Sequence, residues 1–203
     1  PGFDPHLDIA VLAKMLTPEQ AAEHKLYSKT KGKEGKDHSE TRYKAKTTNF
    51  SATYGAGARK IAQTAGVPLV EGEILHSIYW KRNWAVKKTA EDAVVKTVRD
   101  QMWIYNPISR FWYSLRYEKD RFSTLNQSSG VYVFDTWVAF VRKEGIRIAL
   151  QMHDEILFNV EKGEEEKTEQ KINNAMAKTN ALLKLNIEIG CSTQFGNRYS
   201  DCH

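Results

Sequence analysis

The chain is short of cysteine and proline, with two and five respectively among its 203 residues. Two cysteines cannot build a disulfide framework, which fits a reducing compartment. No apolar run approaches the roughly 18 residues of a membrane span. The first residues show no basic segment leading into an apolar stretch, so no secretory signal is expected and a cytoplasmic location is. No internal repeat is visible. With 41% hydrophobic and 27% charged residues the composition excludes disordered and collagen-like classes. Aromatic residues, by contrast, are plentiful: five Trp, nine Tyr and eight Phe. A net charge of +5 and a pI of about 9.1 favour a polyanionic partner, and the aromatics add a mild nucleic-acid signal.

Hydrophobic spacing predicts a helix over Asp4 to Met15, and Thr17-Pro18-Glu19 opens a second. Residues 28–40 carry almost no apolar side chain, which predicts a mobile, solvated loop with a DNA-touching basic loop as the alternative. Glu40 to Tyr54 reads as one helix capped by Gly55-Ala56-Gly57. Helices are predicted over Arg59–Ala65, Leu69–Asn83 and Ala85–Gln101, then a short hairpin of Met102–Tyr105 and Phe111–Leu115 around Asn106-Pro107. Lys119 to Lys143 reads as a long helix whose character breaks at Ser128-Ser129-Gly130, where small residues allow close backbone approach. Ile146–Gln151 and Glu155–Val160 read as strands joined by a tight turn. Glu164 to Lys184 reads as an amphipathic helix with an acidic start suited to the helix dipole, and Leu185–Ser192 as a third strand. Strands followed by helices in this order predict an α+β domain, with an antiparallel sheet backed by helices.

Two constellations carry chemistry. Arg42, Lys46, Phe50 and Tyr54 recur every four residues and form one stripe about 18 Å long on their helix. One reading is a solvated basic turn leading into core packing. The other is a pair of cations for a polyphosphate followed by a platform for a base and sugar. His153-Asp154-Glu155 is the second, set between two apolar strands. It reads either as a solvated acidic turn or as oxygen ligands for a hard cation such as Mg²⁺, the latter favoured because adjacent carboxylates there are costly.

These residues resemble a known family. Arg42, Lys46, Phe50, Tyr54 and Gly55 are similar to the nucleotide-binding helix of the fingers in family A DNA polymerases, the bacterial DNA polymerase I type. Gln151-Met152-His153-Asp154-Glu155 resembles that family's last palm motif, and the two lie in the family's order. Gly2-Phe3-Asp4-Pro5-His6 resembles its Asp-x-His segment. Gln127-Ser128-Ser129-Gly130 resembles its Gln-containing segment over the template–primer pair, and the terminal His203 resembles that of bacterial and phage members. The likeness is greatest to phage replicative enzymes.

The resemblance implies a fingers subdomain over residues 1–100, with its nucleotide-binding helix at 40–54. It implies the C-terminal part of a palm over 101–203, with a metal hairpin at 146–160. It implies His6, Arg42 and Lys46 as a triphosphate clamp, and Lys46 as proton donor to the leaving pyrophosphate. Phe50 would stack on the incoming base and sugar, and Tyr54 would fill the template-side pocket. Asp154 would ligate two Mg²⁺ ions, with Glu155 as secondary ligand, and Gln127, His153 and Lys119 would contact primer–template DNA. The family's earlier palm motif, with its own metal-binding Asp, lies upstream of the Asp-x-His segment and has no counterpart in the sequence; Asp4 and Asp8 are not in its context. Activity with dNTPs and DNA is therefore expected to need an N-terminal polymerase portion, covalent or separate. A non-catalytic DNA-binding subunit is the alternative, and a metal nuclease a more distant one. The tryptophans are expected mostly in the core; His24, His38 and His76 are expected solvated or internally satisfied, and the two cysteines make no zinc site.

Overall fold

A computed structural model describes residues 3–202 of the chain; the readings placed on Gly2 and His203 lie outside the described residues. The chain divides into two compact units, Pro1–Tyr105 with Trp112–Leu125, and Asn106–Phe111 with Asn126–His203.

The first unit opens with six helices: α1 (Pro5–Leu12), α2 (Pro18–Lys29), α3 (Ser39–Thr53), α4 (Ala58–Ala65), α5 (Leu69–Arg82) and α6 (Trp84–Glu91). Local chemistry sets their starts. The Asp4 side chain accepts from the amides of His6 and Leu7 to cap α1, and Thr17 and Gln20 close a capping box on α2. Leu7, Ile9 and Ala10 of α1 pack with Ala45 and Ala52 of α3, Ile61 of α4, and Leu75 and Tyr79 of α5. The buried face of α3 carries only Ala45, Thr48, Asn49 and Ala52. Small side chains there let its neighbours approach closely and leave its long ones outside. The helix ends at Gly55 (φ +76°), where Ala56 N donates to Ser51 O and Gly55 N to Ala52 O, the glycine cap expected from the sequence.

The lysine-rich segment after Ser28 is not the free loop that composition predicts. α2 extends to Lys29, and the chain then folds back on it. Glu34 N donates to Thr30 Oγ1, and His38 N donates to Nδ1 of buried His24. Gly35 sits at φ +83° where a Cβ would lie 2.2 Å from Glu23 O. Backbone groups and histidines hold this loop, which is why a count of apolar residues does not reveal it.

The helix expected over residues 85–101 also breaks. α6 stops at Glu91, and β1 (Val95–Val98) pairs antiparallel with β2 (Gln101–Asn106) through a turn in which Arg99 and Asp100 both have positive φ. The β-branched run Val94, Val95, Thr97, Val98 prefers the pleated surface to a helix. β3 (Phe111–Leu115) lies on the other side of β2, giving the order β1-β2-β3.

α7 (Arg121–Lys143) continues without a break through Ser128–Gly130. In the second unit its Trp137, Val138 and Val141 pack with Ile172, Ala175 and Met176 of α8 (Glu165–Leu183), flanked by Ile156 and Phe158. The hairpin of β4 (Ile148–Met152) and β5 (Glu155–Phe158) is antiparallel. The third strand expected at 185–192 does not form. The Asn180 side chain donates to Ile189 O and accepts from Ile189 N, supplying the bonds a strand partner would have made. The architecture is α+β as expected, with smaller sheets. Of the five tryptophans only Trp137 is buried, and Trp84 is 68% exposed, so the expectation of a mostly buried set fails.

Candidate active site

Because α3 buries positions 45, 48, 49 and 52, the stripe of Arg42, Lys46, Phe50 and Tyr54 faces outward. Phe50 is 50% and Tyr54 43% exposed, so the core-packing reading of these aromatics is excluded. α1 lies alongside and brings His6 to the stripe, its ring centroid 5.9 Å from that of Phe50. Lys46 Nζ lies 5.9 Å from the same ring.

Asp4, which the sequence marks only as the Asp of the Asp-x-His segment, and Asn49, which it does not mark, organise this cluster. The carboxylate of Asp4 caps α1 through one oxygen and accepts from Arg42 Nε at 2.8 Å through the other. Asn49 donates from Nδ2 to Pro5 O at 3.2 Å and to His6 Nδ1 at 2.9 Å. An amide nitrogen only donates, so His6 Nδ1 accepts and its ring proton sits on Nε2. A cleft of ≈ 580 Å³ lies beside the cluster, lined by Asp4, His24, Ser39, Arg42, Tyr43 and Lys46 among others. At the far end of α3, the carbonyl of Lys119 lies 3.1 Å from where a Gly55 Cβ would be, and Lys119 Nζ is 5.7 Å from the Tyr117 ring.

The protonation states follow. Burial, then the charge of Arg42, with smaller contributions from Lys46 and Arg82, lowers the His6 pKa below its ordinary 6.5 despite Asp4. Burial pushes Asp4 up, but the bond from Arg42 and the amides of Leu7 and His6 outweigh it and leave the carboxyl below 3.8. His6 therefore stands in the free chain as a neutral N–H donor, not as a third cation.

In the second unit, Met152 pairs with Glu155 around a two-residue turn of His153 and Asp154, with His153 at φ +51°. His153 and Asp154 are exposed at the tip and Glu155 is half-buried. Ile156 and Phe158 face the helices, so alternation puts Glu155 and Leu157 on the other face. Among the described residues, no three His, Cys, Asp or Glu side chains gather as a metal site. The carboxylate oxygens of Asp154 and Glu155 suit Mg²⁺, which takes one or two carboxylates and keeps water and phosphate oxygens. Gln127 is exposed on α7. Beside it, Asn106 Nδ2 donates to Ser128 Oγ at 2.7 Å and Ser129 Oγ at 2.9 Å, while a Cβ on Gly130 would meet nothing within 4 Å. Close approach thus occurs at the serines and not at the glycine.

No protein-family model matches the chain. In sequence it is 22% identical over 177 residues to DNA polymerase I of Helicobacter pylori (strain J99), covering 80% of this chain and 19% of that one. In structure it is similar to the polymerase domain of Pol1 from M. smegmatis, solved in complex with DNA primer-template and dNTP. The TM-score is 0.56 at 18% identity, over 86% of this chain and 35% of that one. The chain has the fold of part of that polymerase domain. It spans about a fifth of the length of the Helicobacter enzyme.

Within this polymerase fold Asp4 and Asn49 could have been suspected from the sequence. Asp4 precedes a Pro at a helix start, a capping position. Asn49 is a polar residue on the inward face of α3. Their effect on pH dependence is testable. His6 and Asp4 both bind protons less readily folded than unfolded, so their stabilisation is complete above about pH 6.5. It is lost as pH falls, first through the lowered range of His6 and then, below about 3.8, through that of Asp4. Thermal unfolding of the chain and of His6→Gln between about pH 8 and 5 should show a shallower decline for the variant. Parallel curves would place the titration elsewhere.

Proposed function

We propose that the chain is the C-terminal fingers and palm part of a template-directed DNA polymerase that adds dNTPs to a primer 3′ end with Mg²⁺. It would act with an N-terminal portion that carries the other catalytic Asp. The outward stripe of α3, two cations followed by two rings with His6 beside them, carries this reading. Arg42 and Lys46 would hold the β- and γ-phosphates, with the His6 Nε2 proton donated to a phosphate oxygen. Phe50 would stack on base and sugar, and Tyr54 would occupy the template-side pocket. Lys119, Gln127 and His153 would contact the primer–template. Asp154, with Glu155, would hold Mg²⁺, whose chemistry is neutralisation of charge on the reacting phosphates.

The hairpin supports the need for a further segment. It is only two strands wide among the described residues, and Leu150 and Met152 are exposed upon it. One face of the hairpin rests on α7 and α8 through Ile148, Ile156 and Phe158, while its open strand edges suit pairing with another strand. The direct test is primer extension by the 203-residue chain with and without an N-terminal polymerase portion supplied in trans or fused. Extension is expected only with both. Robust synthesis by the chain alone would overturn the shared-carboxylate reading.

The ring at Phe50 sets a further expectation. In the proposed pose the incoming 3′-OH bonds to its own triphosphate next to this ring. A dideoxynucleotide lacks that bond, and Phe50 has no hydroxyl to replace it. A hydrogen bond to a charged group contributes roughly 1.5–3 kcal/mol, about a ten- to hundredfold rate effect. The reconstituted enzyme should discriminate against dideoxynucleotides by that factor, and Phe50→Tyr should largely remove the discrimination. Equal incorporation ratios on one primer would mean that Phe50 does not face the sugar.

A further inference from the structure

A second aromatic and basic surface lies on the three-stranded sheet, and it does not depend on the nucleotide-cleft reading. One face of this sheet is closed by Ile104 and Leu115, both buried. The alternation of strand side chains puts Trp103 and Tyr105 on the opposite face. Lys96 is the direct cross-strand partner of Trp103. From β3, Trp112 joins them, with its ring centroid 5.3 Å from that of Tyr105 and the Lys96 ammonium 3.9 Å from its own. Trp112 is 37% exposed. Just past β3, Tyr117 is 51% exposed, with Arg116 at 5.4 Å and Lys119 at 5.7 Å from its ring.

We propose that this face, built from Lys96, Trp103, Tyr105 and Trp112 with Tyr117 at its end, binds single-stranded DNA. Unpaired bases stack on exposed aromatic rings, and this stacking is tolerant of sequence. Each cation sits against a ring, so a stacked base brings its phosphate within reach of an ammonium or guanidinium. Charge complementarity selects the occupant. The cations among the rings, with no carboxylate on the strands' exposed face at Lys96, Val98, Gln101, Trp103, Tyr105, Trp112 or Ser114, match a polyanion with flat apolar parts. An apolar protein surface would leave those cations unpaired.

Fluorescence anisotropy of the purified chain with a labelled oligo(dT) of about 20 nucleotides tests this at low and moderate salt. Binding should weaken with salt and should exceed binding to a blunt duplex of equal length. Trp112→Ala and Lys96→Glu should each weaken it roughly tenfold. Trp112→Phe, which keeps a stacking ring, should retain most of the affinity and shows that loss in the alanine variant is not misfolding. Lys25→Glu, the same charge change on exposed α2, should have little effect. The proposal is overturned by absence of oligo(dT) binding, by equal binding of the blunt duplex, or by equal weakening from Lys25→Glu and Lys96→Glu.

Discussion

Asp154→Asn should abolish primer extension in the reconstituted enzyme while leaving the chain folded and DNA binding nearly intact. Asp154 is exposed in a two-residue turn, where Asn is well tolerated, so the substitution should change stability little. What it removes is charge. A neutral amide is a poor ligand for Mg²⁺, and loss of several kcal/mol of charge stabilisation in the transition state corresponds to a rate loss on the order of a thousandfold. Single-turnover extension and primer–template affinity, measured on the same protein, separate the two effects. Retention of a tenth of the activity would identify Asp154 as an ordinary turn residue. Glu155 is the natural comparison, because it lies on the sheet face and not at the tip. Glu155→Gln should cost less.

Lys46→Ala should lower turnover on the order of a hundredfold or more, the range expected for loss of a positioned proton donor. Among the described residues no carboxylate forms an ion pair with Lys46, and its ammonium stands over Phe50, outside the core. Removing it should therefore leave thermal stability nearly unchanged. Arg42 differs. It is tied to Asp4, which also caps α1. Arg42→Ala should act more on nucleotide affinity than on turnover, and it should also perturb the α1 entry that positions His6. Rates at saturating dNTP for the two variants decide the matter. A Lys46→Ala enzyme with normal turnover and a raised KM would make Lys46 a binding residue only.

Much of this was open to inspection in the sequence. The four-residue recurrence of Arg42, Lys46, Phe50 and Tyr54 is a property of helical spacing, and the glycine cap at Gly55 follows from backbone sterics. The turn at His153-Asp154 is set by its two short apolar flanks. These are local effects, and local effects are written in adjacent residues. The β1 strand was legible too, in Val94, Val95, Thr97 and Val98, but the helical reading of residues 85–101 overran it. Other features depended on partners distant in the chain. Whether the α3 stripe faces inward or outward is decided by α1, α4 and α5, which take up the small side chains of α3 and leave its rings to solvent. The neutrality of His6 comes from burial and from Arg42, 36 residues away, and the orientation of its ring from Asn49. The loop after Lys29 is held by His24 and packs closely on Glu23 of the preceding helix, and in the segment of the expected third strand the Ile189 backbone bonds to the Asn180 side chain instead. Sequence spacing determined which side chains share a face. Only tertiary packing decided which faces meet solvent and which groups stay charged, because burial and Coulomb interactions depend on distance in space and not along the chain.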